Sequence, residues 1–266
     1  MSTRSLRTAA SGMYAQQINI EIISNNMANM NTTGFKKNKA EFMDLMYQDV
    51  AINPITTKTP GVTEMSSDTI QIGTGVQPAN SQKIFIQGDL MPTGNQFDIA
   101  IQGDGFFQLK KPDGTLVYSR DGSFKVNADG KLVASNGCLV EPEIVVGSDA
   151  QTISVSREGV IEVVEANGRT RVVGELQVAR FMNPGGLTSL GDNLYAETSF
   201  SGTAIMGTPS SNGFGELHQG FLESSNVDVV EEMIAMIAAQ RAYEINSKTV
   251  QTVENMMSIA NNLKRT

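Results

Sequence analysis

The sequence predicts a mixed α and β chain: long N- and C-terminal helices paired as a coiled coil, an extended connector, and a central antiparallel β domain. Three observations carry this reading. Apolar residues recur every seven positions near the N terminus. They do so again, over a longer span, near the C terminus. Between them lie short apolar or alternating runs separated by glycine-containing turns.

The N-terminal stripe is Leu6, Met13, Ile20 and Met27, with Ala9, Gln16, Ile23 and Met30 three residues after each. This is an a/d seam with one polar d position. Ser2, Thr3 and Ser5 can cap its start, and Asn31-Thr32-Thr33-Gly34 stops it, Gly34 being suited to a left-handed end. A helix of this extent is roughly 39 Å long. Asn25, Asn26, Asn29 and Asn31 crowd its end. Asparagines there serve either a frayed end with local side-chain bonds or buried polar contacts that fix helix register.

The C-terminal stripe is Val229, Met236, Tyr243, Val250 and Met257, with Ala239, Val253 and Ala260 at three of the d positions. A second stripe, Ile245, Thr249, Thr252, Met256, Ile259 and Leu263, marks another face. Asp228 three residues before Glu231 resembles a capping box. Asp228, Glu231 and Glu232 suit the positive end of the helix dipole, and Lys264 and Arg265 the negative end. Residues 227–263 as one helix would reach about 55 Å.

The middle is β in texture. Pro112-Asp113-Gly114, Asp121-Gly122, Asn127–Gly130, Ser135-Asn136-Gly137, Glu158-Gly159 and Ala166-Asn167-Gly168 punctuate runs such as Phe106–Leu109, Leu116–Tyr118, Val160–Val164 and Arg171–Phe181. Close spacing of this kind means antiparallel hairpins. The segment 41–80 starts helix-like over Glu41–Val50 and then loses periodicity, and 183–226 reads as a Gly/Ser/Asn/Pro-rich return arm. The expected organisation is therefore 1–36 with 227–266 as the helical part, 37–81 as connector, and 82–226 as the β-rich part.

Composition excludes several functions. There are 20 Lys and Arg against 28 Asp and Glu, a net charge of −8, which argues against a nucleic-acid binder. One cysteine, Cys138, and one histidine, His218, leave no intrachain disulfide and no His/Cys zinc site. No apolar run reaches membrane-spanning length. Arg4 and Arg7 precede a polar-interrupted pattern rather than an apolar run, so no cleaved signal peptide is expected. Gly103-Asp104-Gly105 lacks the third glycine and following helix of a dinucleotide loop. Asp113, Asp121 and Asp129 occupy turn positions. No nucleophile, base and orienter come together, so neither catalysis nor a cofactor or metal is expected. Charge is uneven: residues 1–40 are net +4 and the middle is strongly acidic. Either this is ordinary solubility, or the basic N-terminal segment meets acidic surface on another chain.

A narrow apolar seam needs a partner. Pairing the two terminal helices would still leave the second C-terminal stripe and Met27/Met30 uncovered. Covering them by copies packed side by side gives an assembly, and contacts that do not close give a helical filament. The alternative is that the helices cover the β domain.

Ser11-Gly12-Met13 followed by Ile23–Lys36 resembles the N-terminal signature of bacterial flagellar rod and hook proteins. Gln87–Leu90, Asp98–Phe107, Tyr118–Phe124, Gly191–Tyr195, Gly220–Asp228 and Gln240–Lys248 resemble further motifs of that family, in order. Length and Gln71–Val76 are most similar to its distal-rod branch. The resemblance implies a helical homopolymer forming a rigid hollow shaft, terminal helices lining the tube and the β domain outside. Implied partners are copies of itself, proximal rod proteins, the hook protein, P-ring and L-ring proteins, and the type III export apparatus. Asn25, Asn26, Asn29, Gly34, Phe35, Arg241, Tyr243, Glu244 and Asn246 fall in the implied packing motifs, Arg241 and Glu244 as inter-helix ion pairs. The segment 47–66, with Tyr47, Pro54, Pro60 and Gly61, is the implied stiffening segment. The chain departs from the pattern at Thr208–Gly213 and Ile52–Thr63, which leaves the local contacts there open.

Overall fold

A computed structural model describes residues 2–54, 67–147, 150–165 and 169–263. Pro60 and Gly61, like the predicted turn Ala166–Gly168 and the basic pair Lys264 and Arg265, lie outside these residues. The chain is mixed α and β, with a helix at each end and an antiparallel β-rich region between. It divides into two compact units: one of 1–25, 39–81 and 230–266, the other of 26–38 and 82–229.

In the first unit, helix α1 is Ser2–Ala28 and helix α2 is Val229–Leu263, each overlapping the second unit by a few residues or fewer. On α1, Ala9, Ala15 and Ile23 are buried. Leu6, Met13, Ile20 and Met27 are half-buried. On α2, the buried Glu232, Ala239 and Val253 share the d line with half-buried Asn246. The two helices approach at Gly12, where a Cβ would stand 2.9 Å from Asn246 Nδ2. Strand Gln48–Pro54 pairs antiparallel with Ser67–Ile72, and Asn38–Asp44 pairs with Val76–Lys83.

This corrects the helical reading of Glu41–Val50. Phe42, Met46 and Val50 fall four residues apart, which gives the helical pattern, but Phe42, Met43, Met46 and Tyr47 are all exposed. Without a buried helical face, the backbone instead takes its hydrogen bonds from strands 67–72 and 76–83, which local sequence does not announce.

In the second unit, the largest sheet has nine strands among the described residues. Its centre is Phe106–Lys110, paired with Leu116–Ser119, Leu139–Val140 and Val178–Arg180. Ala150–Val155, Val160–Glu165 and Thr170–Glu175 form a three-stranded meander. Glu216–Gln219 pairs with Ile99–Gln102, and Phe221–Glu223 with Leu90–Pro92. The main core gathers Ile99, Ile101, Phe107, Leu109, Phe124 and Leu217 with their neighbours, Cys138 among them. A second cluster packs Phe106, Tyr118, Phe181 and Tyr195 edge to face.

The turn signals place hairpins as expected at Lys111–Thr115 and Asn127–Lys131. In the latter, Asn127 Oδ1 accepts the Asp129 and Lys131 amides at 3.0 and 2.8 Å. The run Arg171–Phe181 is two strands, broken after Glu175 because Leu176 turns into the core. The return arm 183–226 is not structureless. It supplies strands Thr188–Gly191, Leu194–Ala196, Ile205–Gly207, Glu216–Gln219 and Phe221–Glu223. Thr188–Gly191 and Leu194–Ala196 form a local hairpin and the others pair with distant strands; at three or four residues, each is too short for a local pattern to show.

Candidate functional site

Helix α1 ends at Ala28, three residues before the expected asparagine stop. Asn29, Met30 and Thr32 donate to carbonyls three residues back, tightening the chain into turns. Asn26 is buried and bonds the Asn38 backbone twice, Nδ2 to O and Oδ1 from N–H, both at 2.9 Å. Its side chain is thus bonded to the backbone of the strand that follows the helix. Asn29 Oδ1 accepts Thr32 Oγ1 at 3.2 Å, and Asn25 is exposed.

From here residues 29–38 thread into the β unit. Asn193 Nδ2 donates to Thr33 O at 2.8 Å, and Thr33 Oγ1 to Asp121 Oδ1 at 3.0 Å. Gly34 N–H donates to Glu223 O at 2.8 Å. Asn226, which leads into α2, accepts Lys37 N–H at 2.8 Å and donates to Ile84 O and Ile86 O. The chain entering from α1 and the chain leaving for α2 are therefore tied to one place.

Gly34 is fixed there by two constraints. Its φ is +66°, and a Cβ would lie 2.8 Å from Asp121 N and 2.9 Å from Arg120 C, backbone atoms that cannot swing aside. Gly34→Ala is expected to destabilise the chain by more than the about 1–2 kcal/mol of a left-handed alanine. Urea unfolding measures this; a variant as stable as wild type would contradict the packing described.

Beneath Gly34 lies a buried charge cluster. Lys36 Nζ donates to Glu223 Oε1 at 2.5 Å and to Ile86 O at 2.7 Å, both side chains being inaccessible. Gly88 N–H also reaches Glu223 Oε1, at 3.0 Å. Arg120 Nη2 donates to Gly103 O at 2.8 Å, while its Nε stands 3.7 Å from Glu223 Oε2. Burial pushes the Lys36 ammonium below its ordinary value, against the pull of Glu223. Lys36 is thus neutralised within its own chain, which corrects its assignment to a basic N-terminal surface. Arg120 and Glu223 do not stand out locally as site residues. Each sits in a quoted motif, but 187 residues separate Lys36 from Glu223.

Phe35 is buried beside this cluster, with Lys83 Nζ 5.2 Å from its ring centroid and 5.8 Å from that of Tyr195. Burial raises the Tyr195 phenol far above its ordinary value of 10.0, and raises Tyr118 as well. A phenol protonated in the fold but ionisable near 10 when released contributes stability that is fully present below pH 10 and is lost as pH rises through its folded value. Stability is therefore expected to fall above pH 10, and to fall less steeply in Tyr195→Phe. Denaturant titrations across this range test it; equal slopes would contradict it.

On α2, Val229 and Tyr243 are partly exposed, and Met236, Val250 and Met257 half-buried. Arg241 and Glu244 pair with each other along α2 at 3.2 Å, not across helices, because one helical turn brings them together. Both are exposed. Tyr47 is exposed near Gly73, and Pro54 ends its strand opposite Ser67. Met233, Ile234, Ile237, Ile245, Met256 and Ile259 lie on one side of α2, each 49–63% exposed. Among the described residues, no three His, Cys, Asp or Glu side chains are placed to hold a metal, and no helix is long and apolar enough to cross a membrane.

Residues 6–36 match the family described as flagella basal body rod protein. Residues 100–163 match the flagellar hook protein FlgE/F/G D1 domain, and 218–263 the flagellar basal body rod FlgEFG protein C-terminal family. The flagellar basal-body rod protein FlgG of Borreliella burgdorferi is 48% identical over 98% of this chain and 99% of its own. That of Caulobacter vibrioides is 42% identical, and that of Bacillus subtilis 38%, with the same coverage. The crystal structure of Helicobacter pylori flagellar hook protein FlgE2 aligns over 71% of this chain and 43% of that one, at 15% identity and a TM-score of 0.25, too low to add to the argument. The three matched segments of this chain span Lys36, Arg120 and Glu223 in turn, and the relatives cover 98% of it: it belongs to the FlgG family of flagellar basal-body rod proteins, structural components of the basal body.

Proposed function

We propose that this chain is the structural subunit of the distal rod, polymerising helically into a rigid hollow shaft that carries torque from motor to hook across the periplasm. The observation that carries this is the apolar side of α2 from Met233 to Ile259, about 40 Å long and open to solvent in the single chain. Apolar surface of that extent is unfavourable in water, and a neighbouring copy removes it. In this reading α1 and α2 pair as a coiled coil. Residues 1–36 and 227–266 then form the inner tube, 37–81 the stiffening connector and 82–226 the outer domain. The half-buried seam residues Leu6, Met13, Ile20, Met27, Met236, Val250 and Met257 complete the helix contacts. The chain leaves the cell interior through the flagellar type III apparatus. It meets proximal rod proteins below, the hook protein above, and the P-ring and L-ring around it.

Electron microscopy of concentrated full-length protein tests the reading. Straight hollow tubes are expected. Closed dimers, or monomers that persist even when seeded with isolated basal bodies, would overturn it.

A further inference from the structure

The buried cluster of the β unit leaves hydrogen-bonding capacity unmet at Arg120. Lys36 takes Glu223 Oε1, Glu223 Oε2 stands 3.7 Å from Arg120 Nε, beyond a hydrogen bond, and Asp104 adds negative charge near Arg120 from the solvent side. Arg120 is 3% exposed, yet among the described residues its Nε and Nη1 have no hydrogen-bond partner. A guanidinium keeps its charge in a fold, and unused N–H groups there are costly. The same Arg120 lines a cavity of about 300 Å³, walled by Phe85, Phe106 and Phe181 and reached by a second guanidinium, Arg180. Among the described residues Arg180 makes two long bonds, 3.4 Å each, to Asn212 O and Gly213 O, and its guanidinium lies 5.4 Å from the Phe214 ring centroid. Asp104 stands at the cavity in an exposed position, and Met182 and Ile205 on its border are 91% and 49% exposed.

We propose that this cavity is a socket for an aspartate or glutamate side chain of a second copy of this chain, its carboxylate received by Arg120 and Arg180 and its methylenes by the aromatic wall. The proposal rests on the assembly reading above. A second copy fits for two reasons. The surface on offer is acidic, since residues 41–226 hold the chain's negative charge and expose turn carboxylates such as Asp113, Asp129 and Glu158. An exposed apolar border around a charged floor is also the arrangement in which a neighbour's surface excludes water from an ion pair. Acid on one copy and socket on the next make a head-to-tail contact, which repeats along a filament without closing.

The test uses full-length protein with Met182→Cys, carrying a benzophenone maleimide. Cys138 is buried, so the label reports position 182. Irradiated tubes are expected to give crosslinks between chains, to a peptide containing Asp or Glu, that are absent from dilute monomer. Arg180→Glu should raise the concentration needed for assembly by about tenfold or more without lowering the monomer's melting temperature. Tubes with crosslinks only within one chain, or to a peptide lacking an acid, would overturn the socket and leave the assembly reading standing. So would normal assembly by Arg180→Glu, or monomer stabilised by sodium glutarate with no crosslink between chains, which would assign the cavity to a free carboxylate. Failure of the unlabelled wild type to form tubes would overturn the assembly reading and the socket with it.

Discussion

Glu223→Ala is expected to destabilise the β unit by about 3–5 kcal/mol, the cost of leaving buried cations without their counter-ion. Glu223 is the junction of four segments. Its Oε1 receives Lys36 and Gly88, its Oε2 faces Arg120, and its carbonyl accepts Gly34 N–H. Removing the carboxylate leaves Lys36 and Arg120 together without a buried anion, both still desolvated. Removing all three charges, as in Lys36→Met, Arg120→Met and Glu223→Leu combined, is expected to cost less than the single change, because desolvation offsets much of the attraction in a buried ion cluster. Urea unfolding of both variants checks this. A single variant within about 1 kcal/mol of wild type, or a triple variant less stable than the single, would contradict the account.

Ile234→Glu with Ile259→Glu is expected to abolish assembly while leaving the monomer folded. Both positions are more than 60% exposed in the chain, so the monomer has little to lose. In a polymer each would place a carboxylate in an apolar contact, at a cost of several kcal/mol per copy. Circular dichroism reports the fold and sedimentation the assembly. A variant that sediments like wild type would show that this side of α2 does not face a neighbour. Substituting buried Val253 instead could not separate the two effects, because it belongs to the packing of the single chain.

These two sites differ in how far the sequence reveals them. The helices were legible because their cause is local: apolar residues three and four apart make one face, whatever the rest of the chain does. The hairpin turns were legible for the same reason, as Asn127 shows by bonding residues two and four positions on. Glu41–Val50 was not, because its strands depend on partners at 67–83. The return arm was not, because a three-residue strand such as Ile205–Gly207 exists only where Val178–Arg180 offers it an edge. The charge cluster was least legible. Lys36, Arg120 and Glu223 are ordinary surface residue types, and only the fold removes them from water. Asn26 was half legible: its polar character at a helix end suggested a contact, and the structure supplies the Asn38 backbone as its partner.

In the proposed rod the terminal helices build the tube and the β-rich region surrounds it. Cryo-electron microscopy of assembled full-length protein, reconstructed to side-chain detail, tests it most directly. Helices α1 and α2 are expected around the central channel, paired through the Leu6–Met27 and Met236–Met257 seams, with Ile234, Ile245 and Ile259 covered by neighbouring copies. A reconstruction with those isoleucines still facing solvent, or with the β-rich region lining the channel, would contradict it.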